Sequence, residues 1–152
     1  LERDPWTNVM LFTTARRVSW LQYMQPALEQ GEFVLAARNW YSTLAYQGYG
    51  QGVSLDDIEQ YTAQNVSPEY LKPDITIVLT LGDTAMRRSR ISQRGELENP
   101  DTFESMPDDF QERVNYGYRD LASKRSLHVI DASGSLEEVE HAIWSYVQPK
   151  LS

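Results

Sequence analysis

The chain has 152 residues, 41% of them hydrophobic, which fits a single domain over residues 1–152 with enough apolar side chain to build its core. A formal net charge of −8 excludes a protein that holds nucleic acid by its phosphates, because such binding needs a broad basic surface. The absence of cysteine excludes disulfides and thiolate chemistry and favours the cytoplasm, and no apolar run approaches the roughly 18 residues that span a membrane.

The first half of the chain predicts a helix, a strand and a second helix. Over Trp6–Glu29 the apolar residues recur every three or four positions, which predicts a helix with one buried face that ends at Gly31. The run EFVLAA, Glu32–Ala37, is apolar on both faces and predicts a fully buried strand of a parallel sheet. The next helix is expected over Ser54–Gln64, with Ser54 as its N-cap.

The second half repeats this alternation. Strands are expected over Ile75–Leu81 and Ser126–Ala132, and helices over Asp83–Arg90, over Asp108–Ser123 and from a cap at Ser135 onward. Residues 89–107 are polar and charged, which predicts either a mobile functional loop or a solvated excursion. The alternation indicates an α/β fold, a parallel sheet flanked by helices in three layers. Three strands make a thin sheet, so we expect the chain to be N-terminally incomplete, with the first strands missing.

The loop expected after the first strand, ARNWYSTLAYQGYGQG, is the first candidate site. Ligands of open α/β sheets bind beyond the carboxyl ends of the strands, and an unpaired Arg38 at that position would call for an anion. Neutral donors and acceptors for a base and a sugar follow it, namely Ser42, Thr43, Tyr46 and Gln47. The structural alternative is a capped helix start with Arg38 paired to a nearby carboxylate.

The second candidate site lies on the first helix. Phe12 and Arg16 are one turn apart and offer a stacking surface beside a planar donor, as a nucleobase requires, although ordinary packing explains such a pair equally simply. His128 and His141 have no Asp, Glu or His at metal-ligand spacing and are expected to be structural.

Several segments resemble those of the thymidylate kinase family, whose members phosphorylate dTMP. The string LFTTARRVSWLQYMQPALEQGEFVLAARNWYSTLAYQGYGQG is similar to the family's base-binding helix, the strand after it and its Arg-Ser-Thr-Ala-Tyr-Gln-Gly stretch. KPDITIVLTL, RRSRISQRGELE and LHVIDAS follow in the family's order, so the resemblance runs from about Val9 to the C-terminus. It implies the P-loop nucleoside monophosphate kinase fold.

The resemblance also implies an activity and a set of roles. The activity is transfer of the γ-phosphoryl group of ATP to dTMP with Mg²⁺, in a cytoplasmic homodimer that binds neither nucleic acid nor membrane. Phe12 would stack on thymine, Arg16 would donate to the base and Arg38 would hold the phosphate in a catalytic role. The remaining matches are Ser42, Thr43 and Gln47 around the base, Tyr46 against the deoxyribose, and Arg90, Arg94 and Glu96 in the lid, where Arg94 would stabilise the transferring phosphoryl group.

Two departures from the family pattern support an alternative function. No GxxxxGK(S/T) phosphate loop occurs in the 152 residues, and Ala37 stands where the family has the Asp that helps to arrange magnesium. The alternative is a degenerate, non-catalytic relative that binds a deoxynucleotide. A third hypothesis is that the first helix serves association, with Val9, Val18 and Trp20 contributing to a dimer face.

Overall fold

The computed structural model describes residues 3–81 and 106–151. Its elements are α1 (Pro5–Ser19), the π-helical segment π1 (Trp20–Met24), α2 (Gln25–Glu29), α3 (Trp40–Thr43), the π-helical segment π2 (Leu44–Gly50), α4 (Leu55–Asn65), β1 (Ile77–Thr80), α5 (Asp108–Lys124), β2 (His128–Asp131), α6 (Leu136–Val147) and a 3-10 turn (Gln148–Lys150). The strands β1 and β2 pair in parallel, with Ile77 opposite His128, which confirms the predicted α/β character. None of the helices in these ranges has the length and apolar character that crossing a bilayer requires.

The described residues divide into two compact units. One comprises the described parts of 1–74 and 108–121, and the other those of 75–107 and 122–152. The expected single domain over 1–152 stays a prediction. The predicted helix Asp83–Arg90 and residues 89–105 of the expected lid lie outside the described residues.

The helix starts follow the chemistry expected of their caps. The Ser54 hydroxyl accepts from the backbone N–H of Asp57 at the start of α4, as predicted. At the start of α6, Ser135 and Glu138 form a reciprocal capping box, in which each side chain accepts from the other's backbone N–H. Asp4, which the sequence reasoning did not single out, caps α1 by accepting from two backbone N–H groups. These contacts confirm the predicted starts of α4 and α6.

The predicted first helix is confirmed in extent but not in its buried face. Helical structure runs through α1, π1 and α2 to Glu29, and Gly31 ends it with a φ of 77°, where glycine is unstrained. Val9 is fully buried, but more than a third of the surface of several other apolar side chains is exposed, namely Met10, Phe12, Val18, Leu21 and Leu28. These exposed side chains lie both before and after π1, so the apolar residues of this helix do not form one continuous buried face.

The strand predicted over Glu32–Ala37 is wrong. The segment belongs to no helix or strand, and its apolar side chains face solvent, with Phe33 80% and Leu35 98% exposed. A strand that is apolar on both faces is buried only as part of a sheet whose two faces are covered by helices. Within residues 3–81 and 106–151 the only sheet consists of β1 and β2, so this segment has no strand to pair with.

The first unit is held together by a helical core. Its fully buried apolar side chains are Val9, Trp40, Leu44, Ala45 and Ile58. Two glycines let π2 and α5 approach closely. A Cβ on Gly50 would lie 2.6 Å from the Phe110 ring, and a Cβ on Gly117 would lie 2.6 Å from Cγ of Tyr49. Each segment therefore offers a gap that receives an aromatic ring of the other, which fixes α5 against the candidate site.

The second unit contains the parallel strands and the C-terminal helix. Val78 and Ile130 are buried, whereas the alternate residues Leu79 and Val129 are about half exposed, as the period of a strand requires. The His128 ring stacks on the Tyr146 ring of α6 with 3.5 Å between centroids. This packing accounts for His128 without a metal.

Candidate functional site

Residues 40–50, expected as a loop, are helical instead. Asn39 caps α3 by accepting from the backbone N–H of Tyr41 at 3.1 Å, and the helix continues directly into π2. Trp40, Leu44 and Ala45 recur on one side and are fully buried, so packing of this face accounts for the helix. A π-helical stretch of this kind is frequent at functional sites, because its altered register re-aims side chains.

Arg38 lies immediately before this helix and presents its charge to solvent. The residue is exposed and has a φ of 69°, so the expectation that it stands at the end of a buried strand is wrong. Its Nε donates to Ser42 Oγ at 3.4 Å, and its guanidinium lies over the Tyr46 ring at 4.9 Å from the centroid. No carboxylate pairs with Arg38 in the part of the chain that the structure describes. The guanidinium is thus oriented by neutral groups and keeps donors for an anion.

Arg16 joins the first helix to α3. Its guanidinium donates from Nη1 to Thr43 Oγ1 at 2.6 Å and from Nη2 to the Asn39 carbonyl at 3.0 Å. The same group lies 5.7 Å from the ring centroid of Phe12, so the predicted stacking surface and planar donor are neighbours. Phe12 is 38% exposed, which leaves its ring accessible.

Two arginine charges influence each other at this site. Burial lowers the pKa of Arg16 from its ordinary value, the nearby Tyr70 opposes that shift, and the charge of Arg38 lowers the pKa further. Two cations close enough to repel each other in a chain of net charge −8 form a local positive region. An anion bound between them would relieve that repulsion.

The neutral residues predicted for the site lie on its buried side. Ser42, Thr43 and Gln47 are buried, and Gln47 donates from Nε2 to Gln51 Oε1 at 3.3 Å. Tyr46 is partly exposed and packs near Phe110, with 6.2 Å between ring centroids. The structure therefore brings Arg38, Ser42 and Tyr46 together, and Arg16 with Phe12 and Thr43.

Two tyrosines that sequence reasoning missed complete the surroundings. Tyr118 of α5 donates its hydroxyl to Ser42 Oγ at 2.9 Å, and Tyr70 packs edge-on against Trp20 with 5.6 Å between ring centroids. Burial raises the pKa of both hydroxyls above the ordinary value, and Arg16 partly offsets the shift at Tyr70. No local pattern marks Tyr118, because its partner lies 76 residues away in the sequence.

The described residues hold no cluster of carboxylate and imidazole metal ligands. Within residues 3–81 and 106–151, no group of three or more His, Asp or Glu side chains could hold a metal ion. Ala37 also offers no carboxylate beside Arg38, although Mg²⁺ prefers oxygen ligands. The three residues predicted for the lid, Arg90, Arg94 and Glu96, lie outside the described residues.

Comparison with known proteins gives one family. The thymidylate kinase family model matches residues 2–143. A thymidylate kinase of Deinococcus radiodurans is 36% identical over 152 residues, which cover 99% of this chain and 71% of that protein. One of Syntrophotalea carbinolica is 34% identical over 145 residues, which cover 93% of this chain and 66% of that protein. The solved thymidylate kinase of Ehrlichia chaffeensis superposes with a TM-score of 0.70 at 25% identity, covering 96% of this chain and 66% of that one. The chain therefore spans about two thirds of the length of these relatives.

Proposed function

The chain belongs to the thymidylate kinase family, and on that premise we propose that it acts in the transfer of the γ-phosphoryl group of ATP to dTMP. The observation that carries the proposal is the exposed Arg38 guanidinium, which Ser42 and Tyr46 orient near the half-buried Arg16. The curated and solved relatives reported above are all named thymidylate kinase, so the comparisons give the non-catalytic alternative no support.

We assign the phosphate of dTMP to Arg38. A guanidinium has five N–H donors, and Ser42 accepts from only one of them, the Nε proton. The planar fork that remains fits two oxygens of a phosphate. Tyr46 supports the guanidinium through a cation–π contact, and we assign the deoxyribose to the same ring.

We assign the thymine ring to Phe12 and Arg16. The accessible Phe12 ring offers a stacking surface, and the neighbouring Arg16 guanidinium keeps donors that its contacts to Thr43 and Asn39 do not use. The buried Thr43 and Gln47 supply polar groups around it, since desolvated donors and acceptors discriminate strongly between bases, whereas Ser42 lies on the Arg38 side of the site. These contacts favour a pyrimidine nucleotide as the ligand.

The donor side of the reaction rests on the family resemblance. ATP would arrive as its Mg²⁺ complex, and Arg90, Arg94 and Glu96 of the lid segment are the candidates for contact with the transferring phosphoryl group. A cation at that position increases the rate of transfer by a large factor, because catalysis of phosphoryl transfer depends mainly on positioning and on stabilising charge in the transition state.

We also propose that the protein is a cytoplasmic homodimer whose contact face lies on α1, π1 and α2. The exposed apolar side chains there include Leu11, Val18, Leu21 and Leu28. Val9 and Trp20, two of the three residues expected at such a face, are buried within the unit and cannot contribute to it. Size-exclusion chromatography with light scattering tests this proposal, and a strictly monomeric protein would contradict it.

The central experiment compares ADP release from Mg-ATP with and without dTMP, together with calorimetric titration of dTMP and of thymidine. Arg38→Ala should lower dTMP affinity by about 100-fold, because charge-assisted bonds contribute roughly 1.5–3 kcal/mol each, while thymidine affinity should change little. Arg119→Ala is the matched control, an exposed arginine of α5. ADP release that is independent of dTMP would refute the kinase proposal, and binding without turnover would instead support a non-catalytic relative.

A further inference from the structure

We propose that Tyr118 is a positioning residue of the dTMP phosphate site, which acts by holding Ser42 in the orientation that serves Arg38 and the phosphate. The inference rests on the proposed function, since it concerns the same site. Tyr118 lies on α5, far in sequence from α3, and its hydroxyl donates to Ser42 Oγ at 2.9 Å. No resemblance used above assigns it a role.

The hydrogen-bond arithmetic at Ser42 supports this role. A guanidinium has no acceptor, so the contact between Arg38 Nε and Ser42 Oγ must use a lone pair of the serine oxygen. The Tyr118 hydroxyl donates to the other lone pair. With both lone pairs occupied, the only remaining hydrogen-bonding capacity of Ser42 is its own proton, which can be donated to a phosphate oxygen. Tyr118 therefore leaves the Ser42 hydroxyl, which could otherwise donate or accept, able only to donate beside Arg38.

The ring of Tyr118 supports the same cation from a second side. It meets the Tyr46 ring edge-on, with 6.4 Å between centroids, and Tyr46 carries the Arg38 guanidinium on its face. Burial raises the pKa of the Tyr118 hydroxyl, so it stays protonated and remains a donor at physiological pH. The Arg38 side chain is also a hydrogen-bond neighbour of the Tyr118 hydroxyl, so the hydroxyl acts on Arg38 both directly and through Ser42, and the ring acts through Tyr46.

The test is Tyr118→Phe, which keeps the ring and removes only the hydroxyl. We expect dTMP affinity to fall by about 5- to 10-fold, as the loss of one net hydrogen bond implies, while thymidine affinity stays unchanged because thymidine has no phosphate. In a Ser42→Ala background the same substitution should cause a smaller further loss, because the part of its effect that passes through Ser42 is already removed. Tyr116→Phe is the matched control, a 62% exposed tyrosine on the same helix, and should change neither affinity.

The outcomes separate this inference from the proposed function. Unchanged dTMP affinity in Tyr118→Phe, with the wild type binding dTMP, would overturn the role of Tyr118 and leave the function intact. An equal loss of dTMP and thymidine affinity would show that Tyr118 only maintains the fold. A full further loss of dTMP affinity on top of Ser42→Ala would overturn the inference that Tyr118 acts through Ser42. A wild-type protein that binds neither ligand would overturn the proposed function and the inference together.

Discussion

Replacing Gly117 by alanine tests whether the close approach of α5 to π2 maintains the site. The added Cβ would lie 2.6 Å from Cγ, 2.7 Å from Cδ2 and 2.8 Å from Cβ of Tyr49. The Tyr49 Cβ is attached to the backbone, so a rotamer change cannot remove the clash. To reach the 3.4 Å of an ordinary contact, α5 must retreat by about 0.8 Å. That retreat would lengthen the 2.9 Å bond from Tyr118 to Ser42 beyond hydrogen-bonding distance.

Two opposing effects set the expected stability of Gly117→Ala. Overpacking costs roughly 1–3 kcal/mol, whereas alanine in a helix interior gains about 1 kcal/mol over glycine, so we expect a net loss of about 1 kcal/mol. Urea unfolding followed by circular dichroism measures the loss, and titration should show weaker dTMP binding. In a Tyr49→Ala background the loss should shrink. A rise in the free energy of unfolding with unchanged dTMP affinity would refute the reasoning, because it would leave only helix propensity at work.

Further predictions concern the pH dependence of stability, the two hydrogen bonds that Arg16 donates and the residue at position 37. Because burial raises the pKa of Tyr70 and Tyr118, the unfolded chain releases their protons first as pH rises past their ordinary value of 10.0. Their contribution to stability is therefore complete below that pH and is lost as pH rises through the raised pKa values. Urea unfolding at increasing pH should accordingly show a smaller fall in the free energy of unfolding for Tyr118→Phe than for the wild type. Arg16→Lys should lower the free energy of unfolding by about 1 kcal/mol, because a lysine cannot donate to both the hydroxyl and the carbonyl that Arg16 holds. Ala37→Asp introduces the carboxylate that the family carries beside Arg38 and should raise turnover by at least about tenfold in the ADP-release assay, and unchanged turnover would contradict that role for the position.

Local chemistry made the helix starts predictable from the sequence. A cap depends on residues within three positions of each other, and both Ser54 and Ser135 make the bonds expected of them. The parallel strands around Val78 and Ile130 were equally predictable from the sequence, because short apolar runs next to helices are typical of an α/β fold. In each case the information lies inside the segment itself.

The run Glu32–Ala37 shows where such reasoning fails. The apolar residues of this run are compatible with a strand that is buried on both faces. Such burial also requires a sheet for the strand to join and helices over both faces of that sheet, and the run alone gives no information about these. The structure leaves Leu35 almost fully exposed. Residues 40–50, which were expected to form a loop, are helical because Trp40 and Leu44 are buried on one side. Composition therefore indicated that this segment could form a strand, but not whether other elements of the fold would bury it.

The candidate site was predictable in its parts and not in its connections. Phe12 and Arg16 are separated by four positions of α1, so helical spacing alone brings them together. Arg38 lies before α3 with a left-handed backbone, so its contact with Ser42 is local in sequence but does not follow from helical spacing. The bond between Tyr118 and Ser42 depends on how α5 packs against π2, and no short-range pattern carries that information.

The left-handed backbone of Arg38 has a consequence for protein engineering. A side chain at a φ of 69° costs roughly 1–2 kcal/mol, and glycine at the same position avoids that cost. A redesign that ranks substitutions by backbone strain would therefore select Arg38→Gly, and the product would melt at a higher temperature while lacking the cation that we assign to the phosphate. Thermostabilisation of this protein consequently needs a ligand-binding screen at every round, since improved folding at this residue opposes retention of activity.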